Sequence, residues 1–178
     1  MSVKYNYADQ PVKIFAKKIM KTTFLFASIT LAAGLIFVNM YTSLVDAKSW
    51  GSNIPGSIAT AREYFKTVNP GSFFRIFSPI NQLLGILVLV MFWKTSPTIR
   101  LYLAVALFMY LAAEALTFAY FYPRNAVMFE TADLTDTALL KKTWAQWNTM
   151  NWVRTLILLV GLIFSFLSLD KLYSIRLK

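Results

Sequence analysis

Four apolar runs, 22–44, 73–93, 99–122 and 151–169, constrain this chain more than any other feature. Each holds ~19–24 residues, enough at 1.5 Å per residue to cross ~30 Å of hydrocarbon as a helix. The composition agrees: 57% of the 178 residues are apolar and 15% charged, whereas a soluble domain runs nearer ~45–50% apolar. The predicted fold is all-α, a four-helix transmembrane bundle, with 1–178 forming a single integral membrane domain. The second run is the least regular, because Arg75, Asn81 and Gln82 interrupt its first half; from Leu83 to Trp93 it is lipid-like throughout. The first run follows Lys13, Lys17, Lys18 and Lys21, and Val45-Asp46-Ala47 loosely resembles a cleavage site. Its apolar stretch is about twice a normal signal core, so it reads as a signal anchor.

Charge sets the orientation. The N-terminal segment, the link carrying Lys94 and Arg100, and the tail carrying Lys171, Arg176 and Lys178 together hold ten basic and two acidic residues. The other side holds eight basic and five acidic residues over much longer connections. The denser basic side belongs in the cytoplasm, so both termini are expected there, in a plasma (inner) membrane. Two longer connections then face outward. The first contains a short helix, Ser57–Val68, with Ile58, Ala61, Tyr64, Phe65 and Val68 on one face, and Asn69-Pro70-Gly71 starts the second span. The second contains a helix cap within Asp133–Asp136, after which Leu139–Trp152 runs into the fourth span. The five-residue link 94–98 makes the second and third spans antiparallel neighbours. Gly34, Gly85 and Gly161 are candidate points of close helix approach.

The net charge of +10 is explained by this topology and by anionic headgroups, with no nucleic-acid partner. The chain has no cysteine and no histidine. That removes disulfides, thiolate and His-ligated metal sites, haem on His and every relay built on His or Cys. No metal and no resident cofactor is expected; chemistry would fall to carboxylate, Lys, Tyr or Arg. Glu114 is then the critical residue, lying within the otherwise apolar Leu101–Pro123. A carboxylate there needs a partner. Counted from the outer helix ends, Glu114 and Asn81 lie ~12 Å deep and Arg154 ~7 Å or less. The inner halves of the spans are almost wholly apolar, and the polar residues share the outer halves. A buried ion pair between Glu114 and Arg154, or Arg75, inside an outward-opening polar cup is the expected arrangement. Trp147, Asn151 and Arg154 fall at i, i+4, i+7 on one helix face. Trp144, Trp152, Tyr120, Phe121 and Tyr122 read as outer interfacial aromatics, and Trp93 as an inner one.

The order of landmarks resembles the anthrone oxygenase-like family of small four-helix membrane proteins. They are Tyr41-Thr42-Ser43 after the first span, Arg75 with Pro79 opening the second, and Thr117 followed by Tyr122-Pro123-Arg124-Asn125 closing the third. Trp147-x3-Asn151-x2-Arg154-Thr155 opens the fourth. The resemblance covers roughly Thr22 to Leu169. It implies an enzyme that oxidises anthrones to anthraquinones with dioxygen and no bound cofactor. Many relatives carry His where Asn151 stands, a departure that limits the transfer of acid–base chemistry.

Three functions are therefore open. The first is a ligand-binding or accessory membrane subunit. The second is a cofactor-independent oxidoreductase acting on a phenolic or polycyclic substrate; it requires a drug-sized cavity reaching Glu114. The third is a small transporter. Glu114 and Arg154 are the catalytic candidates, although a carboxylate clamped by Arg would be a poor base. Asn39, Tyr41, Arg75, Asn81, Thr117, Asn125, Trp147 and Asn151 are the ligand-binding candidates. Expected partners are the lipid bilayer, a small apolar or aromatic ligand, and a membrane-protein partner or a second copy.

Overall fold

The structure, a computed structural model, describes residues 10–131 and 134–176. Lys4, Asp133 and Lys178, used above for charge and capping, lie outside the described residues. Among the described residues there are helices and turns and no strand. Helix α1 (Gln10–Tyr41) continues through a π-helical turn (Thr42–Asp46) into α2 (Ala47–Trp50). After α3 (Gly56–Tyr64) come α4 (Pro70–Met91) and α5 (Pro97–Leu116). A second π-helical turn (Thr117–Phe121), α6 (Tyr122–Asn125) and a third π-helical turn (Ala126–Glu130) extend α5, and α7 (Thr137–Arg176) closes the chain. Four continuous rods, Phe15–Trp50, Pro70–Met91, Pro97–Glu130 and Thr137–Ile175, are long and apolar enough to cross a membrane. The molecule is a four-helix transmembrane bundle.

Local chemistry explains the boundaries. Asn69 caps α4, its side chain accepting from the Ser72 amide at 3.2 Å, and Pro70 fills the first turn, where no donor is needed. Asp136 caps α7 by accepting from the Leu139 amide at 2.9 Å. From there α7 runs for 40 residues, or ~60 Å, about twice the hydrocarbon thickness. A rod of that length exceeds the hydrocarbon thickness. The rods extend past the apolar runs because the polar residues flanking each run continue the helix outside lipid. The first long connection is shorter in helix than expected: α3 stops at Tyr64, and Tyr64 and Val68 are exposed while Ile58 and Ala61 are buried.

The rods form a ring in which α1 packs on α4, α4 on α5, α5 on α7 and α7 on α1. On α7 the buried residues Leu140, Thr143, Trp147, Asn151, Arg154, Leu158, Gly161, Ser165, Ser168 and Leu172 are spaced by three or four along one stripe, with Thr155 buried beside it. Gly161 lets α5 come close: a Cβ there would lie 2.6 Å from the Tyr110 ring, whose hydroxyl shares a 2.9 Å hydrogen bond with Ser165. Gly85 similarly faces Leu107, whereas Gly34 faces open space and marks no close contact. Apolar packing fills the end of the bundle nearest the termini, where Leu25, Ile29, Val88, Phe92, Ile99, Leu103 and Leu172 form one cluster. A second cluster lies at the opposite end, where α2, α3 and the start of α7 bury Trp50, Ile58, Phe121, Met128, Leu140 and Trp147.

Candidate functional site

Between the two apolar ends lies a cavity of about 1020 Å³. It opens among Arg62, Lys66 and Arg75 and reaches down to Leu35, Tyr110 and Leu158. Residues from all three π-helical turns line it, among them Thr42, Thr117, Phe121 and Phe129. A π turn inserts one residue and widens the helix, which is how a straight rod makes room for a site. On α4, Pro79 removes the backbone bond that the Arg75 carbonyl would accept, and Ser78, Asn81 and Gln82 beside it face the cavity.

Arg154 is the buried cation of this site, and its position is heavily determined. Its Nη2 donates to Asn39 Oδ1 at 2.6 Å and Asn151 Oδ1 at 2.5 Å, and its Nη1 to Thr117 Oγ1 at 3.2 Å. The guanidinium lies 4.1 Å from the Phe121 ring centroid and 5.4 Å from that of Phe74. The two carboxamides are held in turn. Asn39 Nδ2 donates to the Asn151 carbonyl at 3.2 Å and to Thr155 Oγ1, while Asn151 Nδ2 donates to the Asn39 carbonyl at 3.2 Å and to Ser43 Oγ. Both residues are wholly buried. This reciprocal pair locks α1 to α7 and aims both carboxamide oxygens at Arg154.

The expected contact ion pair is not formed. Among the described residues the only ion pair is Lys66–Glu63 on the surface, at 3.5 Å. Glu114 lies in the same cavity as Arg154 and feels its charge, with the Gln82 side chain as a neighbour in the lining. Arg75 is exposed at the mouth and donates to the Gly71 carbonyl at 3.4 Å. The guanidinium is not drawn to Glu114 because neutral amide oxygens, preset by the α1–α7 lock, already occupy its fork.

The other candidates divide clearly. Glu114, Arg154, Arg75, Asn81, Thr117, Asn125 and Trp147 all line the cavity. Trp147 donates its indole N–H to Asn125 Oδ1 at 2.8 Å, which fixes that wall. Asn39 and Asn151 stand behind Arg154. Tyr41 is not part of the site: it is 56% exposed, since two residues beyond Asn39 turns it ~200° away from the buried face. Two aromatics read as interfacial are internal. Phe121 is buried against Arg154, and the Trp144 indole donates to the Ala47 carbonyl at 2.6 Å. Gln82, Ser43, Thr155 and Phe121 are the participants that sequence reasoning left out of the site. Helical spacing points to them: Ser43 follows Asn39 by four, Thr155 follows Asn151 by four and Phe121 follows Thr117 by four.

Arg62 covers the mouth. It reaches from α3 to the third π-helical turn, donating to the Met128 carbonyl at 2.8 Å and the Thr131 carbonyl at 2.6 Å. Burial lowers its guanidinium from the ordinary value, and the two carbonyl oxygens face its charge. Chemically, the site offers the Glu114 carboxylate at depth, a second carboxylate at Glu130, one fixed guanidinium, and aromatic walls from Phe74, Phe118, Phe121 and Trp147. Among the described residues no group of carboxylates could hold a metal ion.

A family model described as anthrone oxygenase matches residues 72–164, more than half of the 178-residue chain. The match contains every candidate residue named above except Asn39 and Tyr41. No curated protein and no solved structure matches the chain. With its cavity and its fixed guanidinium on the matched helices, this four-helix membrane protein belongs to the anthrone oxygenase family.

Proposed function

We propose that the cavity binds a polycyclic phenol or ketone and oxidises it with dioxygen. One observation carries this reading: a carboxylate and a guanidinium face the same large aromatic-walled cavity without neutralising each other in a contact pair. Glu114, free of a guanidinium clamp, takes a proton from the acidic ring CH₂ of an anthrone-like substrate. The resulting anion spreads onto the ring oxygen, where Arg154 holds the charge from a position set before the substrate arrives. Dioxygen accepts the electrons. The CH₂ becomes C=O, one oxygen atom ends in the new carbonyl and the other leaves in water. Base and anion holder are supplied by this chain, and dioxygen enters as co-substrate.

The protein is proposed to sit in the plasma membrane with both termini in the cytoplasm, its mouth facing outward. The apolar cluster of Ala32, Ile36, Ala106, Tyr110, Ala113 and Leu158 meets the inner end of the cavity, which supports a pocket rather than a transport path. A second reading, an accessory subunit that binds the same ligand without turnover, is favoured by the three protein partners already on the Arg154 terminal nitrogens. The two are separated by holding the protein in lipid nanodiscs, adding anthrone, and following anthraquinone absorbance with oxygen uptake. Turnover that falls by about 10²-fold or more in Glu114→Gln is the expected result. Full turnover in Glu114→Gln removes the carboxylate from the mechanism, and binding without any turnover by the unaltered protein selects the accessory reading.

A further inference from the structure

Helix α4 buries a narrow stripe, Asn81, Gly85, Val88 and Phe92. The lower three positions pack against apolar neighbours. Asn81 breaks the pattern: it is 2% exposed, and its Oδ1 has no hydrogen-bond partner. An apolar side chain of similar size would pack there without stranding an acceptor. A second stranded atom is Arg154 Nε, on a side chain 7% exposed. Both residues line the same cavity. One atom asks for a donor and the other for an acceptor, and a polycyclic ring bearing a hydroxyl and a carbonyl supplies both.

We infer that Asn81 is a specificity-determining residue of the cavity, its carboxamide oxygen accepting from a hydroxyl on the polycyclic ligand. The inference rests on the ligand class proposed above and extends it, because neither Glu114 nor Arg154 discriminates a hydroxylated ring from a bare one. A site with a buried acceptor rejects the ligand that leaves it unmatched, whereas a site without one has no preference. Gln82, the next residue, lines the cavity with Glu114, so the hydroxyl would be read on a helix that faces the base.

The test uses the full chain in nanodiscs and two probes, anthrone and 1,8-dihydroxyanthrone, with binding followed by titration calorimetry under nitrogen so that no turnover intervenes. The unaltered protein is expected to bind the dihydroxy probe about tenfold more tightly. Asn81→Leu should bring the two affinities within about twofold. Asn81→Asp, which keeps an acceptor, should retain the preference. Should Asn81→Leu fail to give a folded protein by thermal melting, Asn81→Ala makes the same comparison. A preference that survives loss of the acceptor overturns the inference and leaves the proposed ligand class intact. Binding of neither probe by the unaltered protein overturns both. A preference dependent on Asn81 in a protein that never turns over anthrone supports the inference and sinks only the oxidase reading.

Discussion

At the residue scale, the molecule is organised around keeping one guanidinium in place. Removing a partner from a buried charge costs ~1.5–3 kcal/mol, and the costliest case here is Asn39, which also bonds the Asn151 carbonyl. Asn39→Leu is expected to lose stability in that range, seen as a lowered melting temperature in detergent. Tyr41→Ala, two residues on but facing outward, should stay within ~0.5 kcal/mol of the unaltered protein. The contrast shows what could be read without coordinates. Depth along a span follows from counting residues, and it groups Glu114, Asn81, Thr117 and Arg154, which line one cavity. Direction around the helix does not follow from depth, so Tyr41 was grouped with them wrongly. The missing ion pair has the same origin: two opposite charges at similar depth suggest a contact, yet which groups fill the guanidinium fork depends on how α1 meets α7.

At the element scale, α7 does most of the positioning. Its stripe from Leu140 to Leu172 holds strict three–four spacing through apolar and polar residues alike, and Trp147-Asn151-Arg154 is its middle portion, visible in the sequence by spacing alone. The π-helical turns were not visible, because an inserted residue carries no compositional mark. Two substitutions probe the helix contacts. Gly161→Ala pushes a methyl against the Tyr110 ring and is expected to cost ~1–3 kcal/mol by overpacking, with the Tyr110–Ser165 bond strained. Gly34→Ala meets nothing and should be neutral or slightly stabilising by helix propensity. Parallel melting curves check both. The cover over the mouth is a separate element. Arg62→Ala deletes all three bonds to the third π-helical turn and its exit, so amide exchange in residues 126–131 is expected to rise while exchange in α5 stays unchanged.

At the scale of the whole molecule, the bundle was legible because hydrocarbon thickness fixes helix length so tightly that four long apolar runs admit little else. Its orientation is a prediction that the absence of cysteine makes simple to test. A thiol placed by Thr60→Cys in α3 should react with an impermeant maleimide on intact cells. A thiol placed by Thr95→Cys in the short link should react only after permeabilisation. The reverse pattern would place the termini outside. Two of the five tryptophans, Trp50 and Trp147, wall the cavity edge to face at 5.3 Å, while Trp93 and Trp152 lie on the outside of the bundle. The protein therefore carries its own lamp at the point where a guest would sit. A dark polycyclic occupant should dim and blue-shift the emission of that indole couple and spare the rest, so occupancy can be watched without any added label.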